Sequence, residues 1–151
     1  MAVTVEDGTG VTGADSFITL VELDALQVDY FGAAVTSTDP IKEAALRRSY
    51  LFMKSLRWKD TADYPTFDAA IPDDIKTAQA VLARIEIESP NALQPSVVPG
   101  QQKILTRVGE IGWTPTGQTG TDAQRTVVTM AMDLLEPFLS GTGQTKFLNR
   151  A

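Results

Sequence analysis

Apolar residues recur at steps of three and four in four separate stretches of the chain, and each stretch opens on a helix-start signal. Thr19 and Glu22 form a T-x-x-E capping box, with Ile18 and Leu23 placed as a hydrophobic staple, so a first helix is expected over about 20 to 31, closed by Gly32. Asp39-Pro40 reads as an N-cap followed by proline and opens a second helix over about 40 to 57. Its buried stripe is Ile41, Ala45, Ser49, Phe52 and Leu56, flanked by Ala44, Leu46 and Met53, with Arg47, Arg48 and Lys54 off the stripe. A third helix starts near Pro72, carries Asp73 and Asp74 in the first turn where the dipole favours acids, and buries Ile75, Ala78, Leu82 and Ile85. Pro90 ends it near Glu88 or Ser89. Thr121 and Gln124 repeat the capping-box logic for a fourth helix over about 122 to 139, with Val127, Ala131, Leu134 and Phe138 inward.

Between these stretches the period changes. Residues 58 to 70 hold Trp58, Tyr64 and Phe67 without helical spacing and read as a loop packed on the helices. Ile104, Thr106 and Val108 alternate with Leu105 and Arg107, and Gly109-Glu110 is a plausible turn, giving a β-hairpin over 101 to 114. A lone hairpin is marginal in water and should lean on helices or on a neighbouring subunit. Val3 to Val5 and Ser16 to Ile18 read as short extended pieces. Residues 140 to 151 cannot pack a core and read as a flexible tail with Phe147 and Leu148 set between Lys146 and Arg150. The expected fold is mainly α: one domain over 1 to 139, a bundle of about four helices with one β-hairpin and extended N- and C-terminal arms, the former over 1 to 18.

Composition narrows the chemistry. The chain has no cysteine and no histidine, which removes disulfides, thiolate catalysis, Cys-based metal sites and the usual general base. With 43% apolar and 21% charged residues and no apolar run long enough for a bilayer, it reads as soluble, with no membrane partner. The net charge of −6 is unevenly spread. Residues 1 to 41 hold seven acids and no base. Residues 42 to 59 hold Lys42, Arg47, Arg48, Lys54, Arg57 and Lys59 against Glu43 alone, and residues 60 to 90 are again acidic. Such alternation suits opposite faces that meet in an assembly.

No catalytic, metal or cofactor constellation presents itself. Gly8, Gly10 and Gly13 spell G-x-G-x-x-G, but the first helix start lies six residues past them, and Glu6, Asp7 and Asp15 would repel a phosphate. The motif therefore reads as an irregular, glycine-jointed arm. Asp73-Asp74 is explained by the helix start, and Glu6-Asp7 with Asp15 lacks the order of a calcium loop.

The opening E-D-G-T-G-V-x-G-A-D-S-[FY], then Lys42-Glu-Ala-Ala-Leu-Arg47 leading to Arg57-Trp58-Lys59, then Ile71-Pro72-Asp-Asp-Ile-Lys76, resembles a family of small tailed-phage proteins. The likeness runs over roughly residues 5 to 139. These proteins are labelled DnaT-like single-stranded DNA binding proteins, and structurally they are similar to head–tail connector adaptors. The adaptor likeness implies a non-enzymatic virion protein, with about twelve copies in a ring under the portal that continues the DNA channel toward a stopper or tail-completion protein. It also implies residence in the virion neck, after assembly in the host cytoplasm. It places Lys146, Phe147, Leu148 and Arg150 at the portal, and the turn Val108, Gly109, Glu110 and Ile111 at a neighbouring subunit or at DNA in the channel. Arg47, Arg48, Lys54, Arg57 and Lys59 would face a subunit or the packaged DNA, without sequence specificity. The DnaT-like alternative would use that basic helix with Tyr50, Phe52 and Trp58 as stacking platforms, against an acidic whole-chain balance.

Overall fold

In a computed structural model the chain is described over residues 2–93, 103–107, 112–115 and 128–140. Four α-helices carry the fold: α1 (Leu20–Phe31), α2 (Asp39–Lys54), α3 (Asp73–Glu88) and α4 (Thr129–Leu135). Single 3-10 turns occupy Asp60–Ala62 and Glu136–Phe138. None of the described helices is long and apolar enough to cross a membrane.

The first helix forms as its sequence directs. Thr19 Oγ1 accepts from the Glu22 amide, the Glu22 carboxylate accepts from the Thr19 amide at 2.7 Å, and Gly32 closes the helix in the left-handed region at φ 76°. The start of α2 differs by one residue. Thr38 is the N-cap and makes no side-chain cap, while Asp39 and Pro40 lie inside the first turn, where the carboxylate faces the dipole and the proline needs no donor. Asp73 and Asp74 stand in the first turn of α3.

The third helix is the centre of the molecule, touching α1, α2 and α4. Sequence periodicity gave it one inward stripe. Instead, every residue from Thr77 to Ala83 is buried, as befits a helix enclosed on all sides. Ala78, Ala80 and Ala83 keep its surface low enough for neighbours to approach closely. Two apolar clusters result. The larger joins Phe17, Tyr50, Phe52, Met53, Phe67, Ile75, Leu82, Leu93, Ala131 and Leu135, and the smaller sets Ile18 and Leu23 against Ala45, Leu46, Ala80 and Ala83.

One expected stripe and two expected helix ends are corrected. Ile41 is half exposed, and its place toward the interior is taken by Lys42, whose stem is buried while Nζ meets both Asp24 carboxylate oxygens at 2.7 and 2.8 Å. Helix α2 stops at Lys54 rather than 57, because the chain then runs extended to bridge Trp58 with Leu139. The Lys59 amide donates to Phe138 O, and the Ser140 amide to Arg57 O. The fourth helix likewise ends at Leu135 instead of 139, with Pro137 in the 3-10 turn that frees Leu139 for this clasp. Its expected start at 122 lies outside the described residues.

Backbone strands β1 (Lys103–Arg107) and β2 (Gly112–Pro115) pair antiparallel, with Leu105 opposite Trp113. The expected turn at Val108, Gly109, Glu110 and Ile111 lies outside the described residues, as does the tail from 141.

The N-terminal segment is not a free arm. Phe17 and Ile18 are core residues, and the fully buried Gln79 secures them. Its Oε1 accepts from the Phe17 amide at 2.8 Å, and its Nε2 donates to Ser16 Oγ and to Leu46 O, both at 3.1 Å. One side chain thereby joins the N-terminal segment, α2 and α3. Gln79→Leu keeps the volume but strands the buried Phe17 amide and removes two further bonds, although Ser16 Oγ keeps its exchange with Ile18 and Leu46 O keeps the Ser49 hydroxyl. It should cost about 3 kcal/mol, read as a lowered urea midpoint with unchanged slope.

Candidate functional site: the glycine loop and the basic helix

The glycine loop is stapled at its mouth. Val5 and Ser16 bridge in parallel, the Glu6 amide donates to Ser16 O at 2.8 Å, and the Asp15 amide donates to Thr4 O at 2.8 Å. The Thr4 amide returns a bond to Asp15 Oδ1 at 2.7 Å. Inside the loop, Gly8 and Gly10 adopt φ of 101° and 82°, conformations open to glycine, and their amides turn inward. Both donate to one oxygen of Glu6, Oε1, at 2.9 Å. Glu6 is 2% exposed.

Converging backbone amides of this kind form an anion-binding concavity. Here the anion is the chain's own carboxylate, so the loop has the look of a phosphate site and is already filled. Asp7 lies outside it, fully exposed. Its carboxyl is held below the usual carboxylate range by the Thr9 hydroxyl and then the Thr9 amide, whose bonds measure 2.6 and 2.9 Å.

The loop rests on a second irregular segment. Asp63, Phe67, Asp68 and Ala69 all take positive φ, between 47° and 67°, which costs non-glycine residues of the order of 1 kcal/mol each. Phe67 meanwhile inserts into the aromatic core. The exposed Asp63 carboxyl is pushed above its ordinary value by a hydrogen bond with Asp68 and by that neighbour's charge. A Cβ at Gly8 would lie 2.5 Å from the Ala69 carbonyl carbon, so Gly8 marks the point where the two loops touch.

The basic helix is partly spoken for. Arg47 Nε meets Asp15 Oδ2 at 2.7 Å, and its Nη2 donates to Ala2 O at 3.0 Å. Arg48 reaches the buried Glu86 at 3.5 Å, and Lys42 meets Asp24. Glu86 also accepts from the Asn91 and Leu93 amides, at 2.9 and 2.8 Å, which closes the C-terminal end of α3. Three cations of the 42–59 window thus pair with acids from the two flanking stretches of the same chain. Lys59 Nζ donates to Pro137 O. Lys54 and Arg57 are exposed, with no side-chain partner among the described residues.

The expected stacking platforms belong to the interior. Tyr50 and Phe52 are buried. Trp58 stacks on Tyr64 with centroids 4.5 Å apart, and its indole N–H donates to Met53 O at 3.0 Å. Phe17 packs against Tyr50 at 4.9 Å and edge-on to Phe67 at 5.8 Å. Burial pushes both the Tyr50 and Tyr64 phenols upward. Among the described residues, exposed aromatics stand elsewhere: Tyr30 and Phe31 on α1, the Phe31 ring lying 4.6 Å from the Arg84 guanidinium. Among the described residues no group of three or more acids is placed to hold a metal. The residues expected at the portal, Lys146, Phe147, Leu148 and Arg150, lie outside the described residues.

A family described as "Putative DnaT-like ssDNA binding protein" matches residues 1–66. No curated protein and no solved structure matches the chain. The matched stretch comprises the glycine loop, α1, α2 and the first part of the aromatic loop.

Sequence reasoning missed Glu6 and Gln79. A signal for Glu6 was present, an acid two residues before the first of three glycines in a stretch without bases. Nothing local marks Gln79, whose partners are 33 and more residues away. Gly8→Ala should destabilise the fold by about 3 kcal/mol, since φ and the Ala69 backbone both oppose it. Gly13→Ala, with φ 79° and nothing within 4 Å, should cost about 1 kcal/mol. Chemical denaturation of the two variants compares these costs directly.

Proposed function

We propose that this chain is a non-enzymatic structural protein of a tailed phage, a head–tail connector adaptor that forms a ring under the portal and continues the DNA channel. The observation that carries this reading is where the motif residues go. Glu6 fills its own loop, Asp15 holds Arg47, Ser16 meets Gln79 and Phe17 enters the core. The stretch that resembles DnaT-like proteins thus does folding work, and its residues are spent before any ligand arrives. An adaptor asks for a rigid body with contact surfaces rather than a reactive site, and α1 and α2 both present apolar side chains outward.

In this reading the ring has about twelve copies, related by a head-to-tail contact that closes by rotation. The segment with Lys146, Phe147, Leu148 and Arg150 engages the portal. The β-hairpin with its turn at Val108, Gly109, Glu110 and Ile111 meets a neighbouring subunit, and a stopper or tail-completion protein follows below. Packaged DNA passes without sequence readout, and the protein resides in the virion neck.

A second reading, single-stranded DNA binding, draws on the family match over residues 1–66 and on the exposed cations Lys54, Arg57 and Lys59. The aromatic platforms expected for it, Tyr50, Phe52 and Trp58, are instead packed in or against the core.

Quantitative mass spectrometry of purified virions separates the two. The adaptor reading expects about twelve copies per portal ring. Absence from virions, with abundance in infected cells, would overturn it in favour of the DNA-binding reading.

A further inference from the structure

Two helices turn apolar residues to solvent at regular spacing. On α1, Val21, Ala25 and Val28 lie at steps of four and three, and all are exposed, Val21 at 79% and Val28 at 50%. On α2, Ile41 and Leu51, 48% and 53% exposed, lie on one face with the half-buried Ala44 and the exposed Arg48 between them, at steps of three, four and three. These are the alternating steps of a seam between two packed helices. Singly exposed apolar residues need no explanation, whereas aligned rows on two helices mark a contact surface.

The rims of the two rows have opposite charge. Exposed Asp29 sits four residues beyond Ala25, and Glu22 one turn before it, in a helix without a single Lys or Arg. Around Leu51 stand Arg48 and Lys54, each three residues away on the same surface. Arg48 keeps 44% of its side chain in solvent despite its contact with Glu86, and Lys54 has no partner among the described residues. The small Ala25 leaves room for a long side chain, which suits Arg48 in the middle of the facing row.

We propose that the outer row of α1 in one copy of this chain packs against the outer row of α2 in the next. Val21, Ala25 and Val28 meet Ile41, Ala44 and Leu51, while Asp29 meets Arg48 and Lys54. The contact is head-to-tail, since the two surfaces differ, and repeating it builds a closed ring or a filament. Charge complementarity fixes the pairing and discourages the contact of either row with itself. This inference rests on the reading of the protein as one that assembles with itself, and names the surface that reading lacks.

Val21→Glu and Leu51→Glu test it, because both positions are on the surface and the variants should melt as the wild type does. Sedimentation velocity of the full chain across the micromolar range should show wild-type assembly, with each variant weakened at least tenfold. Mixing the two variants should give dimers and nothing larger, since one intact α1 row then meets one intact α2 row. Asp29→Lys should weaken assembly and Lys54→Glu should restore it in the double variant. Wild-type assembly that survives in both single variants overturns this contact while leaving self-assembly standing. If removal of residues 141–151 alone abolishes assembly, the occupant is the C-terminal segment and the inference fails. A wild-type chain that stays monomeric throughout also overturns it.

Discussion

The Gln79 amide, enclosed at the centre of the molecule, is the joint from which the rest of the arrangement follows. A primary amide has one accepting oxygen and two donor hydrogens, and all three are used, on Phe17, Ser16 and Leu46. The N-terminal segment can therefore turn its backbone inward and insert Phe17 and Ile18 without stranding an amide. With those two residues in place, the larger cluster gains its aromatic contacts and the smaller one its staple against Leu23. The glycine loop is the outer end of the same construction. It returns the chain from Val5 to Ser16, with Glu6 neutralising the convergent amide dipoles that so tight a turn creates.

Charge is organised by the same logic. The acidic, basic and acidic stretches of the first 90 residues suit opposite faces that meet in an assembly. Much of that alternation is instead settled within one molecule, where Asp24 finds Lys42, Asp15 finds Arg47 and Glu86 finds Arg48. Partly exposed pairs of this kind contribute little stability singly, but they select which segments lie together. The cations left at the surface cluster toward the end of α2. The family match over residues 1–66 covers Asp15, Asp24, Lys42 and Arg47, so several charged residues of that stretch are engaged in pairs within the fold.

The parts of this fold written in local chemistry were legible in the sequence. The capping box at Thr19 and the acids opening α3 both rest on residues within a few positions of one another. Contacts made across the chain were not. Helix α2 stops three residues early because Trp58 pairs with Leu139, and no local signal at Ser55 announces a partner 80 residues on. The burial of α3 on every side from Thr77 to Ala83 was hidden because Thr77 and Gln79 break its apolar pattern, and both are buried. Ile41 looked like a core residue by its period, yet Lys42 took the inward position through Asp24. Of the candidate site, the run of cations is visible in the sequence, while the pairing of three of them with acids of the same chain depends on tertiary placement.

The account stands on the claim that the N-terminal glycine segment is an internal part of the folded body. Amide hydrogen exchange at Gly8, Gly10 and Phe17 tests this most directly, since the first two donate to Glu6 and the third to Gln79. Exchange at all three as slow as in the centre of α3, governed by global unfolding, is the predicted result. Exchange at the rate of an unstructured peptide, with α3 still protected, would contradict the account and return the segment to the status of a free arm.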